Sequence, residues 1–134
     1  VKAVDTSVVI AAFATWHESH ARAVEALARG TALPGPCVLE TYAVLTRLPA
    51  PHRVAADVVR DYLGGMFPGA RLALPDADSR RLVETLVERG ITGGASYDAV
   101  IALIARSAGA TLLTLDERAR STYDRMGVVT EYLG

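Results

Sequence analysis

Short apolar runs that end on an acid or a turn residue alternate along this chain with longer stretches whose apolar positions fall three and four apart. V-K-A-V predicts a short strand, and T-S-V-V-I-A-A-F, just after Asp5, predicts an apolar helix. In W-H-E-S-H-A-R-A-V-E-A-L-A-R-G the residues Ala21, Val24, Leu27 and Ala28 recur at helical spacing until Gly30 stops the run. T-A-L-P-G-P predicts a brief strand and turn, and C-V-L-E-T-Y-A-V-L-T-R-L a helix that Pro49 and Pro51 break. R-V-A-A-D-V-V-R-D-Y-L predicts a helix ending at Gly64 and Gly65, and A-R-L-A-L-P a short strand. D-A-D-S-R-R-L-V-E-T-L-V-E-R-G reads as one helix with an acidic first turn and a glycine stop. Y-D-A-V-I-A-L-I-A-R-S-A-G is apolar on almost every side, which predicts a central helix, and A-T-L-L-T-L is the strongest strand pattern in the chain. A helix near E-R-A-R-S-T-Y-D-R-M-G and a strand at V-V-T complete it. Strands separated by helices imply parallel pairing with helices on both sheet faces, so the expected fold class is α/β, a three-layer α/β/α domain with a mainly parallel central sheet.

Bulk properties change this picture little. At 134 residues the chain is expected to form a single domain over 1–134, with a core large enough to need no disulfide or structural metal. With 51% hydrophobic and 22% charged residues it is ordinarily globular, and no apolar run reaches the ~20 residues that would span a bilayer. The start V-K-A-V-D has no basic, apolar and cleavable leader, so a cytoplasmic location without membrane association is expected. The single cysteine, Cys37, fits a reducing compartment, and its place in P-G-P-C-V suits a small buried filler. A formal net charge of -1 advertises no long-range attraction to nucleic acid, although the basic residues include only one lysine, Lys2.

Acids supply the candidate chemistry. Ligands of open parallel sheets bind beyond the carboxyl ends of strands, where strand order reverses. Asp5 and Asp116 both follow predicted strands, Glu40 lies within a helix among Val38, Leu39 and Tyr42, and Asp98 opens the most apolar helix. Singly, Asp5 and Asp116 read as helix N-caps, Asp98 as a complement to a helix dipole, and Glu40 as a solvent-facing residue. Jointly they read differently. Two carboxylates ~5 Å apart repel by about 3 kcal/mol at an effective dielectric of 20, so a cluster of four serves no stabilising purpose without a cation. Carboxylates without histidine or cysteine partners suit Mg²⁺ or Mn²⁺, and such sites activate water against phosphodiesters.

The stretches V-D-T-S-V-V-I-A-A-F, L-E-T-Y-A-V-L-T-R-L, S-Y-D-A-V-I-A-L-I-A-R and L-L-T-L-D-E-R-A together resemble the four successive motifs of PIN-domain ribonucleases, and their order and spacing are most similar to VapC toxins of bacterial toxin–antitoxin pairs. The resemblance implies that Asp5, Glu40, Asp98 and Asp116 are catalytic and bind Mg²⁺ or Mn²⁺, with Thr6, Ser7 and Thr114 supporting them by hydrogen bonds. It further implies an RNA substrate cut by hydrolysis, a small VapB-like antitoxin that places a basic side chain at the acidic cleft, and a homodimer or a dimer of toxin–antitoxin pairs. Some members carry further acids near the fourth motif, where this chain has Thr114; one ion held by three or four carboxylates is therefore the expectation. Phe13, Trp16, Tyr62, Met66 and Phe67 are aromatic or apolar residues near helix ends; core or turn packing accounts for most of them, and any left over would be surface for an antitoxin to cover.

Other patterns lead elsewhere. H-E-S-H at His17 to His20 is one residue short of the H-E-x-x-H of zinc proteases, and no glycine-rich motif follows a strand to hold a nucleotide. D-T-S after the first strand suits a phospho-aspartate phosphatase less well, since Ser7 stands where its second acid belongs and the only lysine is Lys2. The rival from another class is a non-catalytic interaction or RNA-binding module on the same fold with a vestigial acidic pocket.

Overall fold

A computed structural model describes residues 1–134. Three parallel strands form the sheet: β1 (Lys2–Val4), β2 (Thr111–Thr114) and β3 (Thr130–Tyr132), with β2 in the middle. Ala3 and Val4 of β1 face Leu112 and Leu113 of β2, all four buried, so the centre of the sheet is apolar on both faces as parallel sheets require.

Beyond β1 the sheet continues only as single parallel bridges, Ala3 to Ala32 and then Pro34 to Leu72. The brief strands expected in T-A-L-P-G-P and A-R-L-A-L-P are thus reduced to one paired residue at a time. Pro34 and Pro36 have no N–H to extend a ladder, which limits the first of them. The chain runs outward from β1 to these bridges, then returns to place β2 and β3 on the other side of β1. Right-handed crossovers in opposite directions carry their helices to opposite faces, which gives the three layers.

One group of helices comprises α1 (Thr6–Phe13), α2 (His20–Ala28), α3 (Gly35–Arg47) and α4 (Ala56–Met66), in which α1 packs on α2 and α3, and α3 on α4. The other comprises the short α5 (Asp76–Arg80), α6 (Leu82–Arg89), α7 (Ala95–Ser107) and α8 (Arg120–Met126), with α7 packed on α6 and α8. Both α1 and α7 touch β2. Six residues of α7, Ala99 and Ile101 to Ala105, are buried, as its all-round apolar pattern predicts.

Four local expectations are corrected. α2 begins only at His20 and buries Ala23, Ala26 and Leu27, while Ala21, Val24 and Ala28 face outward. Its alanines offer two apolar stripes, and packing against α1 selects one. The stretch expected as a single helix from Asp76 is interrupted at Arg81, whose φ of -98° and ψ of 6° are not helical. This break lets Leu82 and Leu86 pack on the core although α5 buries nothing. α4 passes through Gly64 and Gly65 to Met66, held by buried Leu63 and Phe67. The last strand starts at Thr130, one residue beyond the apolar pair Val128 and Val129.

Of the five aromatic or apolar residues near helix ends, Phe67 is buried and Phe13 and Tyr62 stack edge to face at 4.9 Å. The Tyr62 hydroxyl also donates to the Val9 carbonyl at 2.8 Å. These three are packing residues, and only Trp16 and Met66 are exposed. Cys37 is fully buried, and burial pushes its thiol up to about 12, so it fills space and offers no thiolate at neutral pH. No helix is long and apolar enough to cross a membrane.

Candidate active site

The strand order reverses between β1 and β2, and Asp5 and Asp116 leave the sheet at that point. Each follows its strand in an extended conformation and caps the helical turn that follows. Asp5 Oδ1 accepts from the backbone N–H of Ser7 at 3.0 Å and of Val8 at 3.4 Å, opening α1. Asp116 Oδ1 does the same for Arg118 and Ala119, opening a 3₁₀ turn over Glu117–Ala119 that leads into α8. Both acids are therefore caps, and capping leaves each of them lining the same cavity at the sheet edge.

Asp5 is also the hub of a buried network. Its Oδ1 accepts from the Ser7 hydroxyl at 2.5 Å, and its Oδ2 accepts from the Thr114 hydroxyl at 2.5 Å and the Tyr123 hydroxyl at 2.8 Å. Ser7 Oγ in turn accepts from the Leu115 N–H, and Thr114 Oγ1 from the Asp116 N–H. The two hydroxyls thus lock the ends of β1 and β2 to each other and fix where both acids stand. Ser7 and Thr114 thus hydrogen-bond directly to Asp5, whereas the Thr6 hydroxyl is buried without a hydrogen-bond partner.

Asp5, Glu40, Asp98 and Asp116 line one cavity of about 30 Å³, together with Thr6, Ser7, Ile101 and Tyr123. α3 supplies Glu40 from its second turn, which is exposed at the rim, and α7 supplies Asp98 from its first. The space equals roughly one water molecule's share of liquid volume, which suits a small ion. The carboxylates surround the cavity without converging on a point, since no three of them are gathered to hold one ion. Capping and hydroxyl contacts fix the Asp5 carboxylate where it stands, and capping contacts fix that of Asp116.

Electrostatic coupling is nevertheless evident. Asp98 is pushed up to about 6, first by desolvation and then by the charges of Asp116, Glu40 and Asp5. Asp5 is also raised, because burial outweighs the hydrogen bonds from Ser7, Thr114, Tyr123 and Val8 that favour its charge. The donor set fits a hard divalent cation: four carboxylates, hydroxyl oxygens including the orphaned one of Thr6, and no histidine or cysteine. His17 and His20 are committed elsewhere, the first accepting from the Ser19 N–H at 3.0 Å and the second bonded to the Ala11 carbonyl at 2.8 Å.

Tyr123 is the site residue that sequence reasoning missed. It is almost fully buried, lines the cavity and bonds Asp5 from 118 positions away, yet R-S-T-Y-D-R-M reads as an ordinary surface helix. Its phenol is raised by burial and then by the neighbouring Asp5 charge, so it is a hydrogen-bond donor throughout the working pH range. Tyr123→Phe is expected to lower stability by about 1 kcal/mol, the net worth of one hydrogen bond, with part of the loss offset because nothing bulky is removed. Urea unfolding with an unchanged m-value checks this.

A parallel sheet with a carboxylate cluster at its switch point, backed by hydroxyls in place of basic residues, is the arrangement of a PIN domain. Residues 2–125 match the PIN domain family, and the chain belongs to it. Within it the chain is of the VapC type. It is 50% identical over 127 residues to Ribonuclease VapC40 of Mycobacterium tuberculosis, covering 95% of each chain, and 43% identical to Ribonuclease VapC27 of the same species, covering 94% of this chain and 92% of that one. Solved structures share the fold at low identity. FitAcB from Neisseria gonorrhoeae matches with a TM-score of 0.72 at 17% identity over 99% of this chain and 98% of that one. VapBC2 from Rickettsia felis, bound to a DNA fragment from its promoter, matches with a TM-score of 0.65 at 15% identity over 98% and 97%.

Proposed function

We propose that this chain is an endoribonuclease toxin that needs Mg²⁺ or Mn²⁺ and is silenced by a small VapB-like antitoxin, acting on RNA in the cytoplasm. The observation that carries the reading is the ring of Asp5, Glu40, Asp98 and Asp116 around one ion-sized cavity, in a chain half identical to a named ribonuclease. The four acids would hold the cation directly or through water. When bound, it would supply a water of lowered pKa and a positive charge beside the scissile phosphate.

The chain's own groups do the rest. Hydrogen bonds from Ser7, Thr114 and Tyr123 keep the Asp5 carboxylate in one orientation, so little reorganisation is needed when the ion and substrate arrive. Asp98 and Glu40 close the site from α7 and α3, and the charges of the neighbouring acids disfavour ionisation of Asp98 until positive charge enters. The same unmet charge would accept a basic side chain of the antitoxin, which then blocks substrate. An apolar cleft of about 820 Å³ between α3 and α4, walled by Val38, Leu39, Tyr42 and Leu63, supports an apolar antitoxin segment as its occupant. A homodimer, or a dimer of toxin–antitoxin pairs, is the assembly we propose.

The test is cleavage of labelled transfer and ribosomal RNAs by antitoxin-free protein with Mn²⁺ or Mg²⁺. Discrete cuts abolished by chelator are expected. Folded protein that binds RNA without cutting any of it would favour the non-catalytic module. Ion binding has its own readout: at ~100 times the dissociation constant, Mn²⁺ should stabilise the wild type by about 2.7 kcal/mol, raising the melting temperature by roughly 10 °C, and should leave Asp98→Asn nearly unchanged.

A further inference from the structure

A second recess opens beside the acidic cavity, between the N-terminal halves of α3 and α7. Pro36, Leu39 and Ala43 wall it on one side and Tyr97 and Val100 on the other, enclosing about 330 Å³. It shares Glu40, Asp98 and Ile101 with the acidic cavity, so the two are continuous. Tyr97 is 76% exposed and Leu39 71% exposed, although each is a large apolar side chain on a well-formed helix. Leu39 also walls the cleft between α3 and α4, whereas Tyr97 lines this recess and not that cleft, and packing within the fold does not account for its exposure.

We propose that this recess receives one unpaired nucleobase of the RNA, flanking the phosphate held at the acids, with Tyr97 as the stacking platform. The inference rests on the ribonuclease reading and names a substrate subsite for it. Its volume equals that of roughly ten water molecules, enough for a purine ring. A base is neutral with two apolar faces, and it can lie against Tyr97 and Leu39 while its phosphate meets the cation.

Charge supplies the second argument. The chain carries a formal net charge of -1 and its site is acidic, so phosphate attraction alone gives weak hold on RNA. Base stacking on an aromatic ring is insensitive to that repulsion and tolerates any sequence. Tyr97 lines the same recess as Glu40 and Asp98, so a base stacked on its ring has its adjoining phosphate beside those acids. Only a base that has left its helix can enter, which predicts cuts in loops and single strands.

The experiment compares wild type with Tyr97→Ala, Tyr97→Phe and Tyr97→Trp in steady-state cleavage. Tyr97→Ala should lower kcat/KM by about 10- to 100-fold, chiefly through KM, at unchanged melting temperature, and both aromatic variants should restore it. In parallel, short single-stranded RNA carrying 2-aminopurine is bound to Asp5→Asn protein, with and without Tyr97→Ala. Fluorescence quenching that requires Tyr97 is expected. Wild-type kinetics in Tyr97→Ala, or quenching that persists without Tyr97, would overturn the subsite. So would unchanged quenching with a fall from dimer to monomer mass in light scattering, which would assign the face to a second copy. Tyr97-dependent quenching by a protein that cuts no RNA would uphold the recess and reject the ribonuclease reading, so the two fail separately.

Discussion

Asp98→Asn is expected to lower RNA cleavage by about 10²–10⁴-fold and, in metal-free buffer at neutral pH, to raise the melting temperature by several degrees. Opposite signs follow from one cause. Asp98 is partly buried beside three other acids, and its carboxyl sits at about 6 in the folded chain against an ordinary value of 3.8. The native state therefore binds more protons than the unfolded one between about pH 4 and pH 6. Stability contributed by the neutral form is fully present below pH 4 and is lost as pH rises through 6. After allowance for solvent screening, the loss is about 1–2 kcal/mol. Asparagine at this position cannot ionise, so the stability of Asp98→Asn should fall less across that interval, only the contribution of Asp5 and other groups remaining, and the two curves should converge toward pH 4. Melting temperatures of both proteins from pH 4 to pH 8, with chelator, check the slope. Parallel curves would remove the charge cluster as the cause.

Replacing Asp5 separates shape from charge. Asp5→Ala deletes the acceptor of five hydrogen bonds, from Ser7 N–H, Ser7 Oγ, Val8 N–H, Thr114 Oγ1 and the Tyr123 hydroxyl. It also removes the cap of α1. The buried donors then lack partners, and a loss of about 2–4 kcal/mol is expected even after relief of the buried charge. Asp5→Asn keeps one carbonyl oxygen for the cap, while its amide N–H groups can donate to the Thr114 and Tyr123 hydroxyls, which accept as readily as they donate. It should fold within ~1 kcal/mol of wild type, and neither variant should cleave RNA. Urea titrations placing both variants at the same midpoint would show that Asp5 contributes charge alone and that the hydroxyl network does not hold the sheet ends.

How much of this was legible in advance depended on how local the cause was. α3 and α7 are set by strong periodicity and clear stops, and β2 by an apolar run of strand-forming residues, so short windows of sequence sufficed. Asp5 and Asp116 were legible because strand, acid and helix follow one another directly. Where several local solutions had similar energy, neighbours decided. The alanine-rich α2 has two usable faces, and contact with α1 chose Ala23, Ala26 and Leu27. The helix around Arg81 had no sequence break, and only the need to turn Leu82 and Leu86 inward interrupts it.

From the amino-acid order alone came the parallel α/β class, the four acids and their order along the chain, because hydrophobic period, capping chemistry and charge type are properties of neighbouring residues. Folding in three dimensions supplied what long-range pairing controls. It reduced two expected strands to single bridges and exposed the recess beside Tyr97. It also brought Tyr123 to Asp5 across 118 positions, and it left the carboxylates around a cavity without closing them on a point. A contact between residues so far apart leaves no local signature, and the arrangement of like charges depends on burial that no short window of sequence contains.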